Sequence, residues 1–230
     1  MPISQLDFVH SIIERIESAC ARSNRAPSEI TLVGASKKVE AARLSTFLGK
    51  NLNNFGENYI QEGIEKVRYF EENHLQAHWH FIGALQSNKA REAIRYFELI
   101  HGVDRISLAK ELDKEARKAG KIQRILIQVN VGEESSKAGV NPEDLGALFH
   151  SIRGLENLKI EGLMSLPPFM ENSEKARPFH RKLRQLRDSL CVTGDDLPYL
   201  SMGMSNDFEV AIEEGATHIR IGTALFGERS

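Results

Sequence analysis

The stretch TLVGASKKVEAA, residues 31–42, is apolar from Leu32 to Ala35 and then presents Lys37 and Lys38 ahead of a helical-looking segment. A buried ammonium costs several kcal/mol of desolvation, so two lysines closing an apolar run ask for a reason. Arg220 raises the same question in HIRIGTALFG, where His218, Arg220 and Gly222 share one face of an extended segment and Ile219 and Ile221 the other. An arginine stays protonated and must find an acceptor, either a carboxylate on a neighbouring strand or a ligand. Upstream, LSMGMSND sets Ser201, Gly203 and Ser205 before a helix expected to start near Asp207. Hydroxyls, bare backbone and the unpaired N–H groups of a helix start suit a phosphate, and Gly222 and Thr223 repeat the pattern. The plainer alternative is that these residues cap and turn. The tripeptide HWH puts His78 and His80 on one strand face, the arrangement of a metal-ligand pair.

These groups matter only if the fold brings them together. Residues 5–22 repeat apolar positions at Leu6, Val9, Ile12, Ile13, Ile16 and Ala19, the spacing of an amphipathic helix. Beyond it, short apolar runs alternate with amphipathic segments. Eight runs read as strands: Thr31–Ser36, Asn53–Gly56, Trp79–Gly83, Leu99–Gly102, Arg124–Val131, Lys159–Met164, Tyr199–Met202 and His218–Gly222. Helix punctuation lies between them. Ser107 opens one helix and Gly120 follows its end; Asn141-Pro142 opens another. Asn206 stands three residues before Glu209, a capping-box spacing, and Gly215 closes that helix. Strict strand–helix alternation predicts an α/β fold, a single (β/α)8 TIM barrel with an extra N-terminal helix, spanning residues 1–230 as one domain. An open doubly wound sheet would want G-x-G-x-x-G after its first strand, and GASKKVEA lacks it.

In such barrels the chemistry gathers at the C-terminal ends of the strands, and the loops after strands seven and eight are the recurrent phosphate site. Side chains alternate along a strand, so Lys37 and Lys38 cannot both point inward. The branched residues of the set Thr31, Val33, Ala35, Lys37 favour that set for the interior. A lysine amine and a phosphate cup on one rim are the pairing that pyridoxal 5′-phosphate (PLP) requires. The amine forms a Schiff base with the aldehyde and the cup holds the phosphate. Burial and a neighbouring Lys38 both favour the neutral, nucleophilic amine. Two surface lysines in a strand–helix turn are the alternative. A metal-dependent hydrolase built on His78 and His80 would need more ligands. His101 and Asp104 do not complete a convincing set, and a packed or hydrogen-bonded histidine pair is the better account.

Composition narrows the field. Hydrophobic residues make up 41% and charged residues 27%, an ordinary soluble balance, and the net charge of −2 gives no general pull toward nucleic acid or a membrane. No run approaches the ~18 apolar residues of a membrane span, and the first residues lack the continuous apolar core of a secretory signal. Cys20 and Cys191, each in an expected helix, read as free thiols. The expected location is the cytoplasm.

Seven motifs carry a family resemblance: VGASK, FGENYIQEG, WHFIGALQSNK, VNVGEESSKAG, EGLMSLPP, LSMGMSNDFEVAI and IRIGTALFG. In order, from about residue 31 to residue 228, they resemble the pyridoxal phosphate homeostasis proteins, the YggS/PROSC family. The resemblance implies a fold-type III PLP barrel, similar to the N-terminal domain of bacterial alanine racemases. It implies that Lys37 is the Schiff-base lysine and that Asn58 lies beside the cofactor. Ser201, Gly222 and Thr223 would contact the phosphate, Met204 and Ser205 line the site, and Arg220 face the pyridine nitrogen. The family often has threonine and then proline after the lysine; here SKKVEA makes Lys38 a backup amine. Arginine cannot accept a hydrogen bond, so a pyridine nitrogen beside it stays unprotonated and the ring is a poorer electron sink. Racemisation also needs a second base on the opposite face, which in the racemases that resemble this barrel is a tyrosine from a partner's added β-domain. The expected function is therefore PLP binding in vitamin B6 balance, buffering the cofactor or delivering it to apo PLP-dependent enzymes, as a monomer without amino-acid turnover. A weak amino-acid racemase is the alternative.

Overall fold

The computed structural model describes residues 5–132, 138–191, 194 and 196–227. The centre of VNVGEESSKAG, residues 133–137, and the last residue of the resemblance, residue 228, lie outside them. Each apolar run forms a strand: β1 (Thr31–Ala35), β2 (Asn54–Glu57), β3 (His78–Phe81), β4 (Leu99–Val103), β5 (Gln123–Gln128), β6 (Leu158–Met164), β7 (Tyr199–Ser201) and β8 (His218–Ile221). They pair in parallel, in sequence order, and β8 closes onto β1. The helices between and around them are α1 (Gln5–Arg22), α2 (Ala41–Ser45), α3 (Ile60–Glu72), α4 (Ala90–Tyr96), α5 (Ile106–Lys118), α6 (Leu145–Arg153), α7 (Arg177–Cys191), α8 (Phe208–Glu213) and α9 (Thr223–Phe226). The fold is the expected (β/α)8 barrel preceded by one helix.

Strand and helix boundaries depart from the sequence reading for local reasons. β5 stops at Gln128 rather than Val131: the β5–β6 pairing ends at Gln128 and Met164, and Val129, whose N–H still reaches the Met164 carbonyl, bridges Val140. Asn141-Pro142 precedes a turn, and α6 begins only at Leu145. The capping box at Asn206 does not form. Asp207 occupies the cap of α8, Asn206 donates to the Met170 carbonyl, and Glu209 pairs with Arg15. Gly120 (φ 65°) and Gly215 (φ 101°) follow the ends of α5 and α8 in the left-handed conformation that glycine adopts without strain.

The main apolar core fills the layer between strands and helices, with Phe47, Phe55, Phe70, Phe81, Phe97 and Phe208 almost wholly buried. Inside the barrel the apolar packing is small: Leu99, Leu126 and Met164, against Tyr199. Much of the lumen is polar instead. His80, His101, His218 and Arg220 are all buried. α1 lies over α8 and α9 and buries Val9, Ile12, Ile16 and Ala19 in the core, with Arg15 stacked on Phe208 at 4.5 Å and Arg25, just after the helix, donating to the Ile212 and Ala216 carbonyls. The first helix thus braces the segment that carries the expected phosphate cup. No described helix is long and apolar enough to cross a membrane.

Candidate functional site

The strand exits surround a cavity of about 400 Å³, a volume suited to a small organic ligand. Lys37, Asn58, Met204, Ser205, Arg220, Gly222 and Thr223 all line it. They come from the ends of β1, β2, β7 and β8, far apart in sequence. A further wall was not anticipated: Leu166, Pro168, Phe169 and Met170 follow β6, and Ile82 follows β3. The signal for it was EGLMSLPP, whose apolar character continues past the strand into a loop that solvent would otherwise favour as polar.

The lysines separate as alternation requires. A Cβ at Gly56 would come within 2.9 Å of Val33, whereas one at Gly34 would meet Phe226 at 3.0 Å on the helix side. Val33 and Ala35 therefore face the lumen, and Lys37, in the turn just after β1, lines the cavity above them. Lys37 is half-buried at the cavity and Lys38 is exposed, its φ of 62° turning the chain away. A buried cluster behind this turn fixes it. Lys66 Nζ donates to the Ser36 carbonyl (2.6 Å), Glu57 Oε1 (2.7 Å) and Glu62 Oε1 (2.7 Å). Ser36 Oγ donates to the same Glu57 oxygen at 2.5 Å, and the Lys38 N–H donates to Glu62. Burial raises the pKa of the Glu57 carboxyl despite the opposing charge of Lys66. Glu57 sits inside FGENY, and a carboxylate at the end of a buried strand was the available hint of this cluster.

Across the mouth, Arg220 is 3% exposed. Its Nη1 donates to Ser201 Oγ at 2.5 Å and its Nη2 to the Ser165 carbonyl at 2.8 Å. Among the described residues it has no carboxylate in ion-pair contact. Burial lowers its pKa to about 10, with the charge of Asp207 acting in opposition. The interstrand ion pair considered from sequence is thus not among its described contacts. A guanidinium desolvated against neutral acceptors is expensive, and two bonds leave donors of its fork for a ligand.

Ser201 does not line the cavity. It is fully buried beneath, where its hydroxyl meets Arg220 and His101. His80 is also turned inward and bonds His101, while His78 lies outside against Glu98. The two histidines of HWH therefore make separate contacts. The loop after β7 is tied down by Asp207, which the sequence reading used only to mark a helix start. Asp207 Oδ1 accepts the Met204 N–H at 2.7 Å and Oδ2 meets His180 Nε2 at 3.0 Å. Burial pushes this carboxyl up, but His180, the Met204 N–H and Arg220 together hold it below the ordinary range. Gly203 (φ 92°) is required here, since a Cβ would approach Ala211 to 2.7 Å. Among the described residues, the first N–H groups of α9 have no intrahelical acceptor, and Gly222 and Thr223 at this helix start line the cavity.

Comparison with known proteins agrees with this architecture. The family model described as "Alanine racemase, N-terminal domain" matches residues 11–230. A pyridoxal phosphate homeostasis protein of Aquifex aeolicus is 49% identical over 219 residues, covering 95% of each chain. That of Escherichia coli strain K12 is 37% identical over 229 residues, covering 97% of each. PipY of Synechococcus elongatus, solved with PLP bound, is 35% identical with a TM-score of 0.81, over 94% of this chain and 100% of that one. An alanine racemase of Clostridium difficile shares the fold at 15% identity and a TM-score of 0.76, but this chain covers only 57% of it.

Proposed function

We propose that this chain, which belongs to the family of pyridoxal phosphate homeostasis proteins, binds PLP at the barrel mouth and holds it on Lys37 without turning over amino acids. The observation that carries this reading is Arg220: a buried cation, lining the cavity, whose described partners are all neutral. Such a group is stabilised when an electron-rich ligand arrives. The rest of the donor set fits PLP in kind. Lys37 offers an amine, Ser205 and Thr223 offer hydroxyls, the first turn of α9 offers N–H groups, and Ile82, Leu166 and Met170 offer apolar walls for a ring. Bound there, PLP supplies an aldehyde that a neutral lysine amine attacks. The Lys66 cluster holds residues 36–38 so that Lys37 reaches inward, and Asp207 fixes the loop bearing Met204 and Ser205. Ser201 acts on the site through Arg220.

Absence of turnover is supported by the lining itself. Among the described residues that line the cavity, the ionisable ones are Lys37, Asp207 and Arg220. Both Asp207 oxygens are engaged, by the Met204 N–H and His180, so Asp207 is poorly placed to move a substrate proton. Among the described lining residues Lys37 is then the one base left for a substrate proton, and racemisation needs two. A cofactor bound yet unused for catalysis suits a protein that buffers PLP or passes it to apo-enzymes. The test is titration with PLP followed by visible absorbance, together with solvent deuterium exchange at Cα of L- and D-alanine. The reading expects saturable binding with an imine band that Lys37→Ala sharply reduces, any remainder of it being on Lys38, much weaker binding of pyridoxal, and no exchange above background. Rapid exchange abolished by Lys37→Ala would instead establish a racemase.

A further inference from the structure

Below Arg220, side chains from five strands form one continuous line of hydrogen bonds. Arg220 Nη1 donates to Ser201 Oγ (2.5 Å), Ser201 Oγ meets His101 Nδ1 (2.8 Å), His101 Nε2 meets His80 Nδ1 (3.0 Å), and His80 Nε2 meets Asn54 Oδ1 (3.2 Å). The two ends decide where the protons sit. A guanidinium only donates and an amide oxygen only accepts. His80 therefore carries its proton on Nε2 and offers Nδ1 to the Nε2–H of His101. His101 in turn offers Nδ1 to the Ser201 hydroxyl, whose lone pair receives Arg220. Every bond then donates in the same direction. Turning the Asn54 amide and reversing the line would make Ser201 accept twice and leave its own hydroxyl proton without a place in it.

Both imidazoles are neutral, as this pattern requires. Burial, then the charges of His218, Arg124 and His78, bring His80 to about 3. Burial, then His80, His218, Arg220 and Arg124, hold His101 well below its ordinary value. Apolar residues would fill a lumen at less desolvation cost, so a satisfied polar line through it specifies geometry rather than stability.

We propose that Ser201, His101 and His80 are positioning residues for the ligand site, a one-way hydrogen-bond line that holds the Arg220 guanidinium in the orientation it presents to the cavity. The inference rests on the reading that the cavity takes PLP. With its proton committed to His101, Ser201 shows Arg220 only a lone pair. A change of tautomer at His101 would put a second donor on that oxygen and loosen the guanidinium.

The test has three readouts: the histidine tautomers, PLP affinity and the visible band of bound PLP. Side-chain ¹⁵N NMR of the PLP-free protein should show His80 and His101 as neutral Nε2–H tautomers at pH 7. In Ser201→Ala, His101 should lose its fixed tautomer, PLP affinity should fall about tenfold, and the visible band of bound PLP should shift. Ser201→Thr, which keeps a hydroxyl, should restore all three. His101→Gln, able to donate and accept at the same places, should bind better than His101→Leu. An Nδ1–H tautomer at His101, or a Ser201→Ala protein with wild-type affinity and spectrum, overturns the proposal. Wild-type protein that binds no PLP overturns the functional reading instead, and the tautomers measured without PLP tell the two failures apart.

Discussion

Lys66 and Arg220 are both cations buried at the barrel mouth, and they are satisfied in opposite ways. Lys66 touches two carboxylates and a carbonyl, so its charge is answered within the fold. Arg220 touches a hydroxyl and a carbonyl and no carboxylate among the described residues. The first arrangement is complete and the second has unused donors facing a cavity. Burial alone does not separate a structural charge from a functional one; the charge of the partners does.

The largest expected effect falls on the completed cluster. Lys66→Met leaves Glu57 buried without its cation and should cost about 3–5 kcal/mol in urea unfolding. Adding Glu57→Leu should recover most of it. A loss under about 1 kcal/mol would show that Glu57 is simply protonated in the fold and that Lys66 holds little.

Acid should act through the Arg220 side. His80 and His218 titrate at about 3 in the fold against roughly 6.5 unfolded. Between those values the unfolded chain binds more protons, so stability is full above about 6.5 and is lost as pH falls. From pH 7 to 5 the loss is about 2 kcal/mol for each of the two, read as a drop in the urea midpoint. His218→Asn should flatten the slope.

The comparison is sharpest in Arg220→Met. Removing a cation that no described carboxylate pairs should leave the stability of the PLP-free protein within about 1 kcal/mol, or raise it. PLP affinity should drop about 10–100-fold, the worth of a charge-assisted hydrogen bond. Isothermal titration beside urea unfolding reads both. A protein destabilised by several kcal/mol would make Arg220 a structural cation like Lys66. Smaller still, Thr223→Ala should weaken PLP binding by about 1 kcal/mol and leave folding unchanged, since its hydroxyl is one donor among several.

The strand–helix rhythm was legible because parallel strands buried on both faces read as apolar runs. The inward path of Lys37 followed from a period of two through Val33 and Ala35. Partnership was harder to see. Nothing local says that Lys66, on α3, reaches back to Ser36, or that His80, His101 and Ser201 meet inside the barrel, because these contacts join residues 21 to 100 positions apart. Ser201 shows the limit: its type suggested a phosphate contact, and only register on β7 places it below the cavity. Asn206 and Asp207 were confused for a related reason. Both are good cap residues, and the choice was made by Met204 and His180, which hold Asp207.

The central claim is that the half-buried Lys37, rather than its exposed neighbour, receives PLP. Loading the protein with PLP, reducing with borohydride and mapping peptides by mass spectrometry tests it directly. The pyridoxyl label is expected on Lys37, with label on Lys38 appearing only in Lys37→Ala. Label confined to Lys38 in the wild type, or no label on protein saturated with PLP, would contradict it.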